Sequence, residues 1–136
     1  MTDPAFALTA AMRARLLDHA PVLALLGGGH VFDERPRGAN PPYVAFVAHE
    51  TRDWSVQDAK AHEHFVTLEA MTQRRSRADA QALASAIEQA LDNAALPLDG
   101  HALVNLRLIF WSVARARNSE NYAATLRFRA ATEPLS

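Results

Sequence analysis

The segment at residues 25–46, LLGGGHVFDERPRGANPPYVAF, constrains the fold more than any other part of the chain. An apolar run ends on Gly27-Gly28-Gly29. Glycine reaches positive φ without a Cβ clash, so helical structure stops there. His30-Val31-Phe32-Asp33 then reads as a short strand. Residues 35–40 are polar and broken by Pro36 and Gly38, which makes them a loop. Pro42 fixes the start of a second strand, Tyr43-Val44-Ala45-Phe46-Val47, rich in β-branched and aromatic residues. The segment is a scaffold that presents a loop, and nothing in it resembles a catalytic centre.

The flanking sequence supplies the remaining elements. A helix is expected over residues 4–20, with Asp3 as its cap and Pro4 at the first helical position, where a missing N–H costs nothing. Leu8, Met12 and Leu16 recur at steps of four and form its apolar stripe. Pro21 ends that helix and opens a short turn over residues 22–26. Residues 50–60 are polar and read as a long hairpin tip holding Trp54. Residues 63–72 alternate, with Phe65, Thr67, Glu69 and Met71 on one face and His64, Val66, Leu68 and Ala70 on the other. Ser76 caps the clearest helix, with Asp79 three residues on and a stripe of Ala80, Leu83, Ala84, Ile87 and Leu91. Two strands close the chain. Residues 101–113 are expected to place Val104, Leu106, Leu108 and Phe110 on one face and Leu103, Asn105, Arg107, Ile109 and Trp111 on the other. Residues 122–130 point Ala124, Leu126, Phe128 and Ala130 inward and Arg127 and Arg129 outward. The order is α-β-β-β-α-β-β: an α+β fold in which a mostly antiparallel β-sheet packs against two main helices, one domain over residues 1–136.

Charge and composition narrow the function. The 136-residue chain has no cysteine, which excludes disulfides and thiolate metal sites. No apolar run approaches the ~18 residues of a membrane span. The N-terminal stretch carries Asp3 early, and arginines interrupt its apolar pattern, so it does not read as a signal peptide. A net charge of −1 argues against a general nucleic-acid binder. The charge is uneven, however. Residues 61–100 carry three basic and six acidic groups, and residues 101–136 carry five and two. Opposed patches on a near-neutral domain suit self-association or a protein partner.

Catalytic chemistry finds little support. His62-Glu63-His64 puts two imidazoles on one strand face, and His49 on the preceding strand could join them, so a small metal-dependent enzyme using His49, His62 and His64 is one alternative. Any H-x-H in a strand shares a face, and solvated histidines on the sheet explain the pattern better. The glycine triplet lacks the lysine and serine of a phosphate loop. No serine sits in a G-x-S-x-G elbow. No catalytic residue and no cofactor are expected. The residues best placed for contact are Arg35 and Arg37 in the first loop, Trp54 in the hairpin tip, Arg74, Arg75 and Arg77 at the strand-to-helix junction, and Arg115 and Arg117 at the last turn. Arginines near a helix N-terminus oppose its dipole, so Arg74, Arg75 and Arg77 can serve a partner or passing nucleic acid, although a solvated turn is the commoner explanation for them and for Arg115 and Arg117. Trp54 is balanced between anchoring an interface and folding back on the sheet.

The ordered set of elements resembles a known family. The opening helix running into Val22-Leu23-Ala24-Leu25-Leu26-Gly27 comes first, followed by Val31-Phe32-Asp33, a loop with Pro36, and Pro42-Tyr43-Val44. A long hairpin, the strand at residues 64–71, the helix at 78–91 and two closing strands complete it. This is similar to phage tail-completion proteins of the tail-terminator type, which also occur in phage-derived gene transfer agents. His30 stands in place of the arginine or other residue that often precedes the first strand in that family. The resemblance implies a ring, usually a hexamer, that caps the tail tube and offers a surface to a head–tail connector or other neck protein. DNA then passes through the lumen without sequence-specific binding. It implies no catalysis, no cofactor and no membrane, and assembly in a bacterial cytoplasm into a phage or phage-like particle. Another neck ring, a connector or stopper, is the nearest alternative.

Overall fold

In a computed structural model of the chain, residues 3–73, 76–117 and 119–135 are described. The element order is α1 (Pro4–Leu17), α2 (Ala20–Leu26), β1 (Val31–Phe32), β2 (Tyr43–Asp53), β3 (His62–Met71), α3 (Arg77–Leu91), β4 (His101–Arg115) and β5 (Tyr122–Pro134). The caps fall where the side-chain chemistry puts them. The Asp3 carboxylate accepts from the Ala5 and Phe6 amides, and the Ser76 hydroxyl accepts from the Asp79 amide. Residues 20–26 form a helix rather than the expected turn, because Pro21 occupies its first turn, where no amide donor is needed. Gly27 closes α2 at φ 72°, in the left-handed region, and its N–H donates to the Leu23 carbonyl. α1 accordingly ends at Leu17, three residues before the expected limit.

The five strands form one sheet in the order β1-β2-β3-β5-β4. β1 is only two residues long and parallel to β2; every other pairing is antiparallel. α3 carries the chain from β3 to the parallel β4, across β5. The helices share one face of the sheet. There Leu8, Met12, Leu16, Leu83 and Ile87 meet Val66, Leu68, Leu126 and Phe128 in a continuous buried core. The two arginines that interrupt the apolar pattern of α1 fasten it. Arg13 Nε donates to the Val31 carbonyl at 2.8 Å. Arg15 Nε donates to the Ala90 carbonyl at 3.0 Å, at the C-terminal end of α3, where a cation complements the helix dipole.

Three strands outrun their expected limits. β2 continues to Asp53, so residues 50–53 belong to the strand and not to the hairpin tip. β4 reaches Arg115 and β5 reaches Pro134. With one face open to solvent, polar residues do not end an antiparallel strand.

The faces of β4 also differ from the alternation expected for residues 101–113. The register slips between Leu103 and Asn105 and again between Leu108 and Phe110. Each bulge adds one residue and exchanges the faces beyond it. Leu106, opposite Ala130, and Leu108, opposite Phe128, stay on the helix face. Phe110 is thrown to the open face, opposite Arg127, and Trp111 joins the helix side, opposite Leu126. Val104 and Phe110 are more than half exposed as a result. A third slip in β2, between Phe46 and Ala48, makes Val47 a bulge residue and leaves it exposed.

Candidate assembly surface

Three of the arginines singled out from sequence, Arg35, Arg77 and Arg115, lie at one end of the sheet. Tyr43, Met71, Ala123 and Ala114 stand level across the four long strands, and Tyr122 and Arg115 lie beside them. Arg35 Nη1 donates to the Tyr43 hydroxyl at 3.2 Å, and this bond raises the guanidinium pKa above its ordinary value. Arg77, at the start of α3, and Arg115, at the end of β4, both approach the Tyr122 ring, at 5.7 and 6.0 Å. Two residues 38 positions apart in sequence thus share one aromatic ring as cations. Arg117 lies exposed in the following turn, and Arg37 is exposed in the loop after β1. Arg74 and Arg75 lie outside the described residues.

Trp54 follows β2 at the opposite end of the sheet. It remains 46% exposed, yet the Arg129 guanidinium lies 5.1 Å from its ring. Arg129 is held in turn by Glu63, which also pairs with Arg52. Burial alone would raise the Glu63 carboxyl pKa, but the hydrogen bonds from Arg129 and Arg52 outweigh it and hold the pKa below the usual range. Arg127 lies 4.9 Å from the Phe65 ring and 3.5 Å from Glu50. The open face is therefore an ionic lattice with aromatic rests. Sequence reasoning placed Arg127 and Arg129 outward but had no means of finding Glu63 beneath them.

The histidines do not form the solvated row expected of them. His64 is fully buried on the face of Val66, Leu68 and Ala70. One ring nitrogen, Nδ1, lies 2.9 Å from His49 Nε2 and 3.1 Å from the Thr51 hydroxyl; the other, Nε2, lies 2.9 Å from the Thr132 hydroxyl. His49 Nδ1 reaches the Thr9 hydroxyl of α1 at 3.1 Å. Desolvation lowers the His64 pKa to about 4, helped by the neighbouring His49, His62 and His101, and desolvation lowers that of His49 as well. Both His64 nitrogens are engaged in hydrogen bonds, so the lone pairs that a metal needs are already directed at protein groups. Among the described residues, no three His, Asp or Glu side chains are grouped to hold a metal ion. This is a buried polar network fixing α1 to the sheet.

Among the described residues, the linings of four surface depressions bring together no acid, base and nucleophile. One of them, about 350 Å³, is lined by Ala24, Leu25, Pro42, Thr72, Gln73, Asp79 and Leu83. No helix of the described residues is long and apolar enough to cross a membrane.

Fold and surface together define an α+β structural domain whose open features are strand edges and charge rather than a cleft. The chain belongs to the family of the tail completion protein gp17, whose family model matches residues 10–133. It is therefore a structural component of a phage-type tail. It is also similar to a chain in the virion of a native gene transfer agent particle, with 29% identity, a TM-score of 0.87, and coverage of 98% of this chain and 99% of that one. No match was found among curated protein sequences.

Proposed function

We propose that the protein is the repeating subunit of a ring, with six copies, that terminates the tail tube of a phage or phage-like particle and joins it to the neck. The observation that carries this reading is the likeness, over nearly the full length of both chains, to a component of a gene transfer agent virion. The partners are further copies of itself, the tail tube protein and a head–tail connector or neck protein. DNA passes through the lumen without sequence-specific contact. The role is mechanical and involves no catalysis, cofactor or membrane.

A closed ring needs two different patches on each subunit, one meeting the other on its neighbour. The arginine-rich end of the sheet offers one such patch. Native mass spectrometry and electron microscopy of the purified protein, alone and with tail tube protein, test the proposal. A closed six-subunit species, alone or on the tube end, is expected. A monomer under both conditions overturns it. Gold labelling at the head side of the neck, away from the tube end, would instead identify a connector or stopper.

A further inference from the structure

The sheet has two unfinished edges, at diagonally opposite corners. On one side, β1 pairs only with Val44 and Ala45, so, among the described residues, residues 47–53 of β2 have no strand beyond them. On the other, β4 is the last strand. Its first half is covered by the end of α3: the Asn93 amide donates to the Leu106 carbonyl at 2.8 Å and the Leu108 amide to Asp92 Oδ1 at 2.9 Å. Residues 109–115 run on past that cover, with Ile109, Phe110 and Trp111 each about half exposed. A long apolar edge left open is a template for pairing with another chain, and stable proteins cover such edges.

We propose that residues 109–115 of β4 pair antiparallel with residues 47–53 of β2 in the next copy of this chain. The inference rests on the ring reading above and specifies its interface. β2 and β4 run in opposite directions within the sheet, so copies related by rotation about an axis along the strands bring them together antiparallel. Centring the two free halves places Glu50 opposite Ser112, Thr51 opposite Trp111 and Arg52 opposite Phe110. The pleat agrees with this register: Glu50 and Ser112 share the open face, and Thr51 and Trp111 share the helix face. The backbone agrees as well. The bonds of Val44 to His30 and of Leu106 and Leu108 to the end of α3 mark the outward-pointing residues, and alternation past each bulge carries that phase to Thr51 and Trp111.

The diagonal offset is what closure requires. Glu50 stands level with Arg129 of β5 through Phe65, whereas Ser112 stands level with Thr125, four residues along the same strand. That is roughly 13 Å of stagger across four strands spanning about 19 Å, a tilt of roughly 35°, at the lower end of the ~35–45° of closed barrels. Taking the β3–α3–β4 crossover as right-handed, the stagger has the sense that closes with the helices outside and the charged face toward the lumen.

Charge completes the fit. In this register Arg115 falls opposite Val47, level with the end of β1, where Asp33 and Glu34 are exposed. Arg115 and Arg117 of one copy therefore meet Asp33 and Glu34 of the next.

The absence of cysteine gives a clean test. Glu50 and Ser112 are a non-hydrogen-bonded pair in this register, with Cα atoms about 4.5 Å apart, within disulfide range. The Glu50→Cys/Ser112→Cys double variant should form, on mild oxidation, a ladder of covalent multimers on a denaturing gel. An Ala10→Cys/Ser112→Cys control should not. Independently, Arg115→Glu/Arg117→Glu should raise the concentration needed for assembly at least about tenfold, and adding Asp33→Arg/Glu34→Arg should restore it. Rings that assemble without cross-linking, or that tolerate the arginine reversal, overturn the edge pairing and leave the ring reading intact. Failure of the unmodified protein to assemble, alone or with tail tube protein, overturns both.

Discussion

The two halves of β4 lie on the same partner strand, yet their surroundings differ. Residues 101–108 are ordinary core: Leu106 is buried, Leu108 packs against the hydrophobic cluster, and the outer edge is closed by Asp92 and Asn93. Residues 109–115 are equally apolar in sequence, but their outer edge has no strand beside it, and Ile109, Phe110 and Trp111 reach solvent. Hydrophobicity therefore does not by itself mark the interior of this protein. What separates the halves is the bulge at Ile109 and the point at which α3 stops covering the edge.

The comparison breaks most readily at Leu106. Its truncation to alanine removes a core side chain between the sheet and α3 and should cost about 2–5 kcal/mol of unfolding free energy. Urea unfolding checks this. A loss below about 1 kcal/mol would mean that the inner half is no more a core than the outer.

Acid probes the same buried layer on the central strand β3, where His64 stands level with Leu106 through Ala130. His64 is neutral and buried in the folded protein, with its pKa lowered to about 4, and an unfolded histidine titrates near 6.5. Above pH 6.5 the two states hold the same number of protons on this group, and its environment carries no penalty. As the pH falls, the unfolded chain gains a proton that the fold resists, so stability declines by about 2 kcal/mol at pH 5 and about 3 kcal/mol at pH 4. The lowered pKa of His49 acts in the same direction. Unfolding midpoints between pH 7 and pH 4 should show this decline, and a His64→Asn variant should flatten it. A flat profile in the unmodified protein would place His64 in contact with water.

The cover over the edge can be removed separately. Asp92 accepts from the Leu108 amide and pairs with Arg107 at 3.3 Å. Asp92→Ala leaves a β4 amide without its acceptor and should cost about 1–2 kcal/mol. Hydrogen exchange at Leu108 should accelerate while the amides of β3 stay protected. Equal acceleration throughout the sheet would show a general loss of stability instead of an opened edge.

Local chemistry made the framework legible in the sequence. Asp3 and Ser76 announced their helices, and the stripes Leu8–Met12–Leu16 and Leu83–Ile87–Leu91 are buried as their spacing requires. Alternation placed Leu126 and Phe128 inward and Arg127 and Arg129 outward. It also placed His64 with Val66 and Leu68, so the burial of that histidine was present in the pattern and was obscured only by its polarity. The bulges were not legible, because an extra residue in a strand leaves no mark in composition while exchanging every face beyond it. The candidate surface was legible as residue types and not as a place: Arg35, Arg77 and Arg115 are gathered by strand register and by the ring of Tyr122. Long-range pairing decides such neighbours, and a single sequence does not encode it in any local period.

The smallest expected effect on stability is the sharpest for the comparison. Phe110 is 55% exposed and stands on the open face opposite Arg127. If the outer half of β4 were core, Phe110→Ser would resemble Leu106→Ala in cost. As an exposed position it should change the unfolding free energy by no more than about 0.5 kcal/mol. The same substitution removes an aromatic ring from the strand edge and should weaken self-association, read as a higher midpoint concentration in sedimentation. An unchanged melt with weakened assembly separates the two halves of one strand by function. A large loss of stability would return Phe110 to the interior and reduce β4 to a single core strand.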